Sequence, residues 1–268
     1  MYTIREYVWP DSVETAARLN QKKQTTLLAG GIWTRLGQRR IGTAVDLSGL
    51  NLAGIRQTDE GFEIGAMTPL RAVECHPVLA AVYGSLFKDA LSGIVGVQLR
   101  NAATVGGSVW ARFGFSDVIA ALLTIDADVL LFEGGRLPLA DFLSRSRRQR
   151  DLLLSVILKP TVTRAVFHTF RLEAADIPTL NCGVSRLPDG GLRAVVGARP
   201  AIAQATILSA GDAGASPDTA ALGRMLAGRF RYGSNLRGSA EYRKHLAGVL
   251  LGRCLEALLN QEEVRHAD

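Results

Sequence analysis

Hydrophobic positions along the first part of the chain switch between helical and strand-like periods. Residues 11–20 read as a helix, because Val13, Ala16, Ala17 and Leu19 share one face and Asp11 or Ser12 caps the start. Residues 25–29 read as a short buried strand, broken by Gly30 and Gly31 and followed by a further helical turn. Residues 43–47 read as another strand, ending in a turn at Ser48 and Gly49. This order predicts a small βαβ unit over about the first fifty residues. Residues 55–57 and 62–66 then flank Asp59, Glu60 and Gly61 as a hairpin. Thr68-Pro69 has the form of a helix start, and residues 77–91 are helical and largely apolar. Gly93, Gly96, Gly106 and Gly107 frame a glycine-rich passage. A helix over 117–125, a buried strand over 128–132 and a strand over 152–158 close this region.

Residues 160–164 mark the expected boundary. Three strand-like runs follow, 166–172, 180–186 and 192–196, and Pro188-Asp189-Gly190-Gly191 joins the last two as a hairpin. The tail is helical over 218–227 and 239–259, with Tyr242, Leu246, Val249, Leu250, Cys254 and Leu258 as one apolar stripe. The expected class is α+β in two domains, the second carrying a three-stranded antiparallel sheet and helices.

Composition narrows the function classes. With 268 residues, 47% hydrophobic and 21% charged, the chain has the balance of a soluble globular protein and not of a disordered tail. The longest apolar stretch, 119–132, carries Asp126 and Asp128, so no membrane span is expected. The N-terminus lacks a basic start followed by an apolar run, and Cys75, Cys182 and Cys254 lie far apart. Reduced thiols and a cytoplasmic location are therefore expected. The net charge of +6 is partly local, in Arg145, Arg147, Arg148 and Arg150. That run reads as a solvated loop or as a docking surface. No aromatic residue interleaves it, and nucleic acid is not expected as a partner.

His76, His168, His245 and His266 are scattered, and none sits at metal-ligand spacing with cysteine or carboxylate, so no metal is expected. No nucleophile elbow, Walker A sequence or Gly-x-Gly-x-x-Gly after a strand is present, so no catalytic acid, base or nucleophile is assigned. Two glycine-rich turns remain. The first is Leu27-Leu28-Ala29-Gly30-Gly31-Ile32-Trp33-Thr34, a strand running into two glycines and then an expected helix. Bare glycine backbone lets amides crowd toward a phosphate, and a helix start adds a favourable dipole. The second is Gln98-Leu99-Arg100-Asn101-Ala102-Ala103-Thr104-Val105-Gly106-Gly107-Ser108, with Ser116-Asp117 beyond it. Its Thr and Gly-Gly are suited to another nest of amides.

That second stretch, with Ser116-Asp117 and the run from Ala120 to Ala127 at matching spacing, resembles the flavin-binding subunit of molybdenum hydroxylases. The family includes the FAD subunits of xanthine dehydrogenase and aerobic carbon monoxide dehydrogenase. The first turn resembles that family's Ala-Gly-Gly-Thr-Asp motif, followed by Val45-Asp46-Leu47-Ser48. Near the end, Leu236-Arg237-Gly238-Ser239-Ala240-x-Tyr242-Arg243 is similar to its Arg-x-Ser-x-x-Tyr-Arg stretch. The resemblance implies a PCMH-type FAD-binding domain over 1–160, split into a βαβ subdomain over 1–53 and a second over 54–160, then a C-terminal domain over 165–268. It implies noncovalent FAD, with the diphosphate held by backbone of Leu27, Leu28, Ala29, Gly30, Gly31, Ile32, Trp33 and Thr34 from one side. Thr104, Val105, Gly106, Gly107 and Ser108 hold it from the other. Asp117 accepts from sugar or ribityl hydroxyls, the other reading being a helix N-cap together with Ser116. Ile94 lies near the isoalloxazine ring and Leu153 near its edge. Arg171 stands where some members carry a lysine close to the flavin, the other reading being an exposed strand residue.

Departures from the family pattern are local. Ile32 and Trp33 replace a polar pair, which removes side-chain hydrogen bonds to phosphate but leaves the amides. Ser108 replaces asparagine. Trp110, Arg112 and Phe113 stand where relatives carry smaller residues, and the three dispersed cysteines cannot ligate a 4Fe–4S cluster. The implied function is electron transfer, from a 2Fe–2S small subunit fed by a molybdopterin-binding large subunit, through FAD, to NAD or another acceptor. The alternative is a flavin-free structural subunit of such a complex.

Overall fold

Ser12 starts the first helix, Val13–Asn20: its hydroxyl accepts from the Thr15 N–H at 3.2 Å, and Ala16 and Ala17 are buried one turn on. In the computed structural model, which describes residues 3–160, 162, 164–214 and 218–266, this helix joins two strands of a parallel sheet. The strands are β1 (Thr3–Val8), β2 (Thr25–Leu28) and β3 (Arg40–Asp46), in the order β1-β3-β2. Strands β2 and β3 fall where the sequence reading puts strands, but only a 3-10 turn, Thr34–Leu36, lies between them, and the helix of this sheet, Val13–Asn20, connects β1 to β2 instead. β1 buries none of its residues, so no hydrophobic alternation marks it.

A second sheet is antiparallel throughout. It comprises β4 (Ile55–Thr58), β5 (Gly61–Gly65), β6 (Asp128–Leu131), β7 (Gly135–Pro138) and β8 (Leu153–Leu158), in the order β4-β5-β8-β6-β7. Ile64, Val129, Val156 and Leu158 are fully buried on it. Both sheets lie in one compact unit made of Met1–Val73, Val97–Ala111 and Asp128–Leu158. The glycine-rich passage proves helical, as Val97–Ala102 and Val105–Ala111 in this same unit.

The second unit gathers Glu74–Gly96, Arg112–Ala127 and Lys159–Asp268. Residues 77–91 form two helices, Pro77–Tyr83 and Leu86–Leu91, because Gly84 ends the first. The sheet expected to have three strands has four: β9 (Arg164–Phe170), β10 (Leu180–Arg186), β11 (Leu192–Gly197) and β12 (Gln204–Leu208), in the order β12-β11-β10-β9. β12 escapes a sequence reading because it is an edge strand that buries only Leu208. The 188–191 turn joins β10 to β11 as the sequence predicts, with the Leu187 N–H donating to the Gly191 carbonyl at 2.8 Å.

Helices Thr219–Ala227 and Ala240–His266 pack on this sheet through Leu222, Leu226, Leu246, Leu250, Cys254 and Leu258. The apolar stripe of the long helix differs from the expected one. Leu251 and Leu255 belong to it, whereas Tyr242 and Val249 are exposed. Helix Asp117–Thr124 is buried at all eight positions and touches β10 and β11.

Candidate functional site

The first glycine turn is built by two left-handed residues in succession, Gly30 at φ +70° and Gly31 at φ +67°. Their surroundings differ. A Cβ on Gly30 would lie 1.9 Å from the Ala102 carbonyl oxygen, whereas one on Gly31 would meet nothing within 4 Å. Gly30 is thus required by close backbone approach, and Gly31 faces open space. The helix expected after this turn is only a single 3-10 turn, Thr34–Leu36, so no long helix directs its dipole at the loop. Its hydrogen bonds run inside the turn: the Arg35 N–H donates to Gly31 O at 3.0 Å and the Leu36 N–H to Trp33 O at 3.3 Å. Among the described residues, the N–H groups of Gly31, Ile32 and Thr34 have no acceptor.

The second turn uses its amides differently. Val105 N–H donates to Thr68 O at 3.0 Å, Gly106 N–H to Ala66 O at 2.8 Å and Ser108 N–H to Thr104 O at 3.1 Å. Gly107 N–H donates to Thr104 Oγ1 at 3.1 Å, so the Thr104 hydroxyl acts as a cap for helix Val105–Ala111. Ser108 Oγ donates to Thr104 O at 2.8 Å.

Both turns line one cleft of about 570 Å³ within the first unit. Of the residues picked from the sequence, Leu27, Ala29, Gly31, Ile32, Trp33, Thr34, Thr104, Gly106, Gly107, Ser108 and Leu153 line it. Leu28 and Val105 are core residues behind it, and Gly30 fixes the loop against Ala102. Trp110 lines the cleft while its ring sits 5.5 Å from that of Phe142, so cleft wall and core packing are one role. The lining also includes residues 147–152, which hydrophobic patterning did not place there. The available signal was position: the arginine run immediately precedes β8, whose first residue is Leu153.

A second group of expected residues meets in the second unit. Ser116, not Asp117, caps helix Asp117–Thr124, its hydroxyl accepting from the Ile119 N–H at 3.2 Å. The Asp117 carboxylate accepts instead from Arg171 Nη2, from Asn181 Nδ2 at 2.8 Å and from Thr169 Oγ1 at 3.4 Å. Burial pushes the Asp117 pKa up to about 6, against the opposing pull of Arg171, Asn181 and Thr169. It stays mostly ionised at neutral pH.

Arg171 follows the last residue of β9 and its side chain is only 8% exposed, which removes the reading of it as an exposed strand residue. Nη1 donates to Thr169 Oγ1 at 2.9 Å and Nε to Asp176 O at 3.0 Å. The guanidinium packs against Gly93, where an added Cβ would lie 3.0 Å from Nη1. Ile94 is the next residue along the chain, so the region of Ile94, Asp117 and Arg171 comes together. The C-terminal motif is structural in this unit. Arg237 pairs with Asp176 at 2.8 Å, and buried Arg243 donates to Thr179 O at 3.0 Å, Gly233 O at 2.9 Å and Gly238 O.

Among the described residues no cluster of three or more His, Cys, Asp or Glu is placed to hold a metal, and no helix is long and apolar enough to cross a membrane. A family model described as the FAD binding domain in molybdopterin dehydrogenase matches residues 2–161. Over 252 residues, 92% of this chain and 94% of the relative, the chain is 25% identical to the uncharacterized protein YgfM of Escherichia coli (strain K12). It is 29% identical over 134 residues to the nicotinate dehydrogenase FAD-subunit of Eubacterium barkeri, covering 47% of this chain and 45% of that one. The carbon monoxide dehydrogenase structure from Hydrogenophaga pseudoflava shares the fold, with a TM-score of 0.79 at 21% identity over 95% of this chain and 97% of that chain. The turn of unpaired amides beside bare glycine is thus found in a chain that belongs to the family of FAD binding domains of molybdopterin dehydrogenases.

Proposed function

We propose that this chain is the electron-transfer flavoprotein subunit of a molybdopterin-containing hydroxylase of the xanthine dehydrogenase kind. In this reading it binds FAD noncovalently in the cleft of the first unit. A 2Fe–2S small subunit, fed by a molybdopterin-binding large subunit, delivers electrons to it, and NAD or another acceptor removes them. FAD, when bound, supplies the redox chemistry, and the protein supplies placement and electrostatics.

The observation that carries this reading is the set of unpaired amides at Gly31, Ile32 and Thr34 beside an open Cβ position at Gly31. A backbone turn of this kind accepts a phosphate without any side-chain donor. The cleft volume falls in the range of about 300–1,000 Å³ usual for small-molecule sites. Leu27 to Thr34 hold the diphosphate with these amides, and Thr104, Gly106, Gly107 and Ser108 line the opposite wall, Gly106 packed against Ala66 and the Ser108 hydroxyl engaged by Thr104 O. Leu153 lines the same cleft. Within the second unit, Asp117 orients Arg171 beside Gly93 and Ile94.

Ile32 and Trp33 motivate the competing reading of a flavin-free structural subunit. Titration of the chain with FAD, followed by quenching of flavin fluorescence, separates the two. Saturable binding at micromolar concentration is the expected result, and its absence favours the structural subunit.

A further inference from the structure

We propose that Arg147 and Arg148 form a cationic arm of the cleft that grips the diphosphate of the bound dinucleotide. This rests on the reading of the cleft as the FAD site and adds the source of its positive charge.

The need for such an arm follows from the two turns. The amides of Gly31, Ile32 and Thr34 offer hydrogen bonds but no net charge. Ile32 and Trp33 have no cationic side chain, and a three-residue 3-10 turn supplies little dipole. The amides of Val105 to Ser108 are bonded within the chain. A diphosphate brings two negative charges into a cleft whose turns neutralise neither.

The arginine run is tied down at its C-terminal end. Arg150 Nη1 donates to Asn20 O at 2.6 Å and Lys22 O at 2.7 Å, and Nη2 donates to Lys23 O at 3.0 Å. These carbonyls lie at the end of helix Val13–Asn20, where a cation is favoured. Asp151 is buried beside it, and its carboxylate accepts from Glu133 N–H at 3.0 Å, Gly134 N–H at 2.9 Å and Leu152 N–H at 2.7 Å. Asn20 Nδ2 donates to Asp151 O at 3.1 Å. The pair at 150–151 therefore pins the strap. The turn just before it, closed by Gln149 N–H to Ser146 O at 3.2 Å, is held on the cleft wall.

Arg147 and Arg148 lie in that turn, both exposed and both on the lining. Among the lining residues Asp151 is the one carboxylate, and three N–H groups already engage it. On this lining Arg147, Arg148 and Arg150 stand against that one carboxylate. Arginine suits the task because its planar fork bonds two phosphate oxygens at once.

The test is calorimetric titration of the full chain and its Arg147→Gln/Arg148→Gln double variant with FAD and with riboflavin, at low and high ionic strength. The double variant is expected to bind FAD about ten- to a hundredfold more weakly at low ionic strength. The gap should narrow as salt rises, and riboflavin, which carries no phosphate, should bind both proteins equally. Arg147→Lys/Arg148→Lys should recover part of the loss, since charge returns without the fork. An unchanged FAD affinity, or an equal loss for FAD and riboflavin, overturns the arm alone. A wild-type chain that binds no FAD overturns the arm together with the site reading beneath it.

Discussion

Gly30→Ala is expected to lose both stability and FAD binding. The residue sits at φ +70°, which costs a side-chain-bearing residue about 1–2 kcal/mol. The added methyl would also overlap the Ala102 carbonyl oxygen at 1.9 Å, and backbone on both sides must then move. Together these should remove about 3 kcal/mol or more, lowering Tm by about 6 °C or more in a chain of this size. Since Gly30 sets the direction of the amides after it, FAD binding should fall below detection. Gly31→Ala is the control, because it shares the backbone cost at φ +67° but meets no neighbour within 4 Å. It should keep most of its stability while FAD affinity drops, as the methyl stands where a phosphate would approach. Thermal unfolding and FAD titration of both variants check this. A Gly30→Ala protein with unchanged Tm and affinity contradicts the loop geometry.

The second large effect is at the buried pair. Arg171→Met leaves the Asp117 carboxylate, itself only 3% exposed, without its cation, at a cost of about 3–5 kcal/mol. The Asp117→Asn/Arg171→Met double variant should regain much of that, because no unpaired charge remains. A cycle of denaturant midpoints measures the coupling. The pair also sets a pH dependence. Asp117 titrates near about 6 in the folded chain against a usual 3.8, so between these values the native state holds the extra proton. The group's contribution to stability therefore increases as pH falls from about 6 toward 4 and is lowest above 6. Asp117→Asn should abolish this slope. The Arg171→Met penalty should likewise be smaller at about pH 5, where Asp117 is mostly protonated in the parent chain, than at about pH 7.5, where the charged pair is lost. A pH-independent penalty would show that Arg171 acts through packing and not through Asp117.

These two places also show what a sequence carries and what it leaves out. The first helix, the hairpin at 188–191 and the glycine turn at 30–31 were legible because each rests on local chemistry: period, turn residues, bare backbone. β1 and β12 were not, since neither buries a regular face. Long-range pairing is the other gap. Asp117 and Arg171 are far apart in sequence, and either alone reads as a cap or a surface residue. The second turn looked like an amide nest. Two of its donors, at Val105 and Gly106, are taken by Thr68 and Ala66, in a distant segment that no local pattern connects to it, and those of Gly107 and Ser108 by Thr104. The arginine run was visible only as charge. That it lines the cleft depends on Arg150 and Asp151 tying it to the end of the first helix and to the 133–134 turn.

The most direct test of the central claim, that unpaired backbone at Gly31, Ile32 and Thr34 receives the dinucleotide, is amide hydrogen exchange with and without FAD. Without FAD these amides should exchange rapidly and those of Val105, Gly106 and Ser108 slowly, since only the latter are bonded within the chain. FAD should slow exchange at 31–34, in proportion to site occupancy. If FAD binds while exchange at 31–34 stays as fast as in the free protein, the dinucleotide is held elsewhere and the account fails.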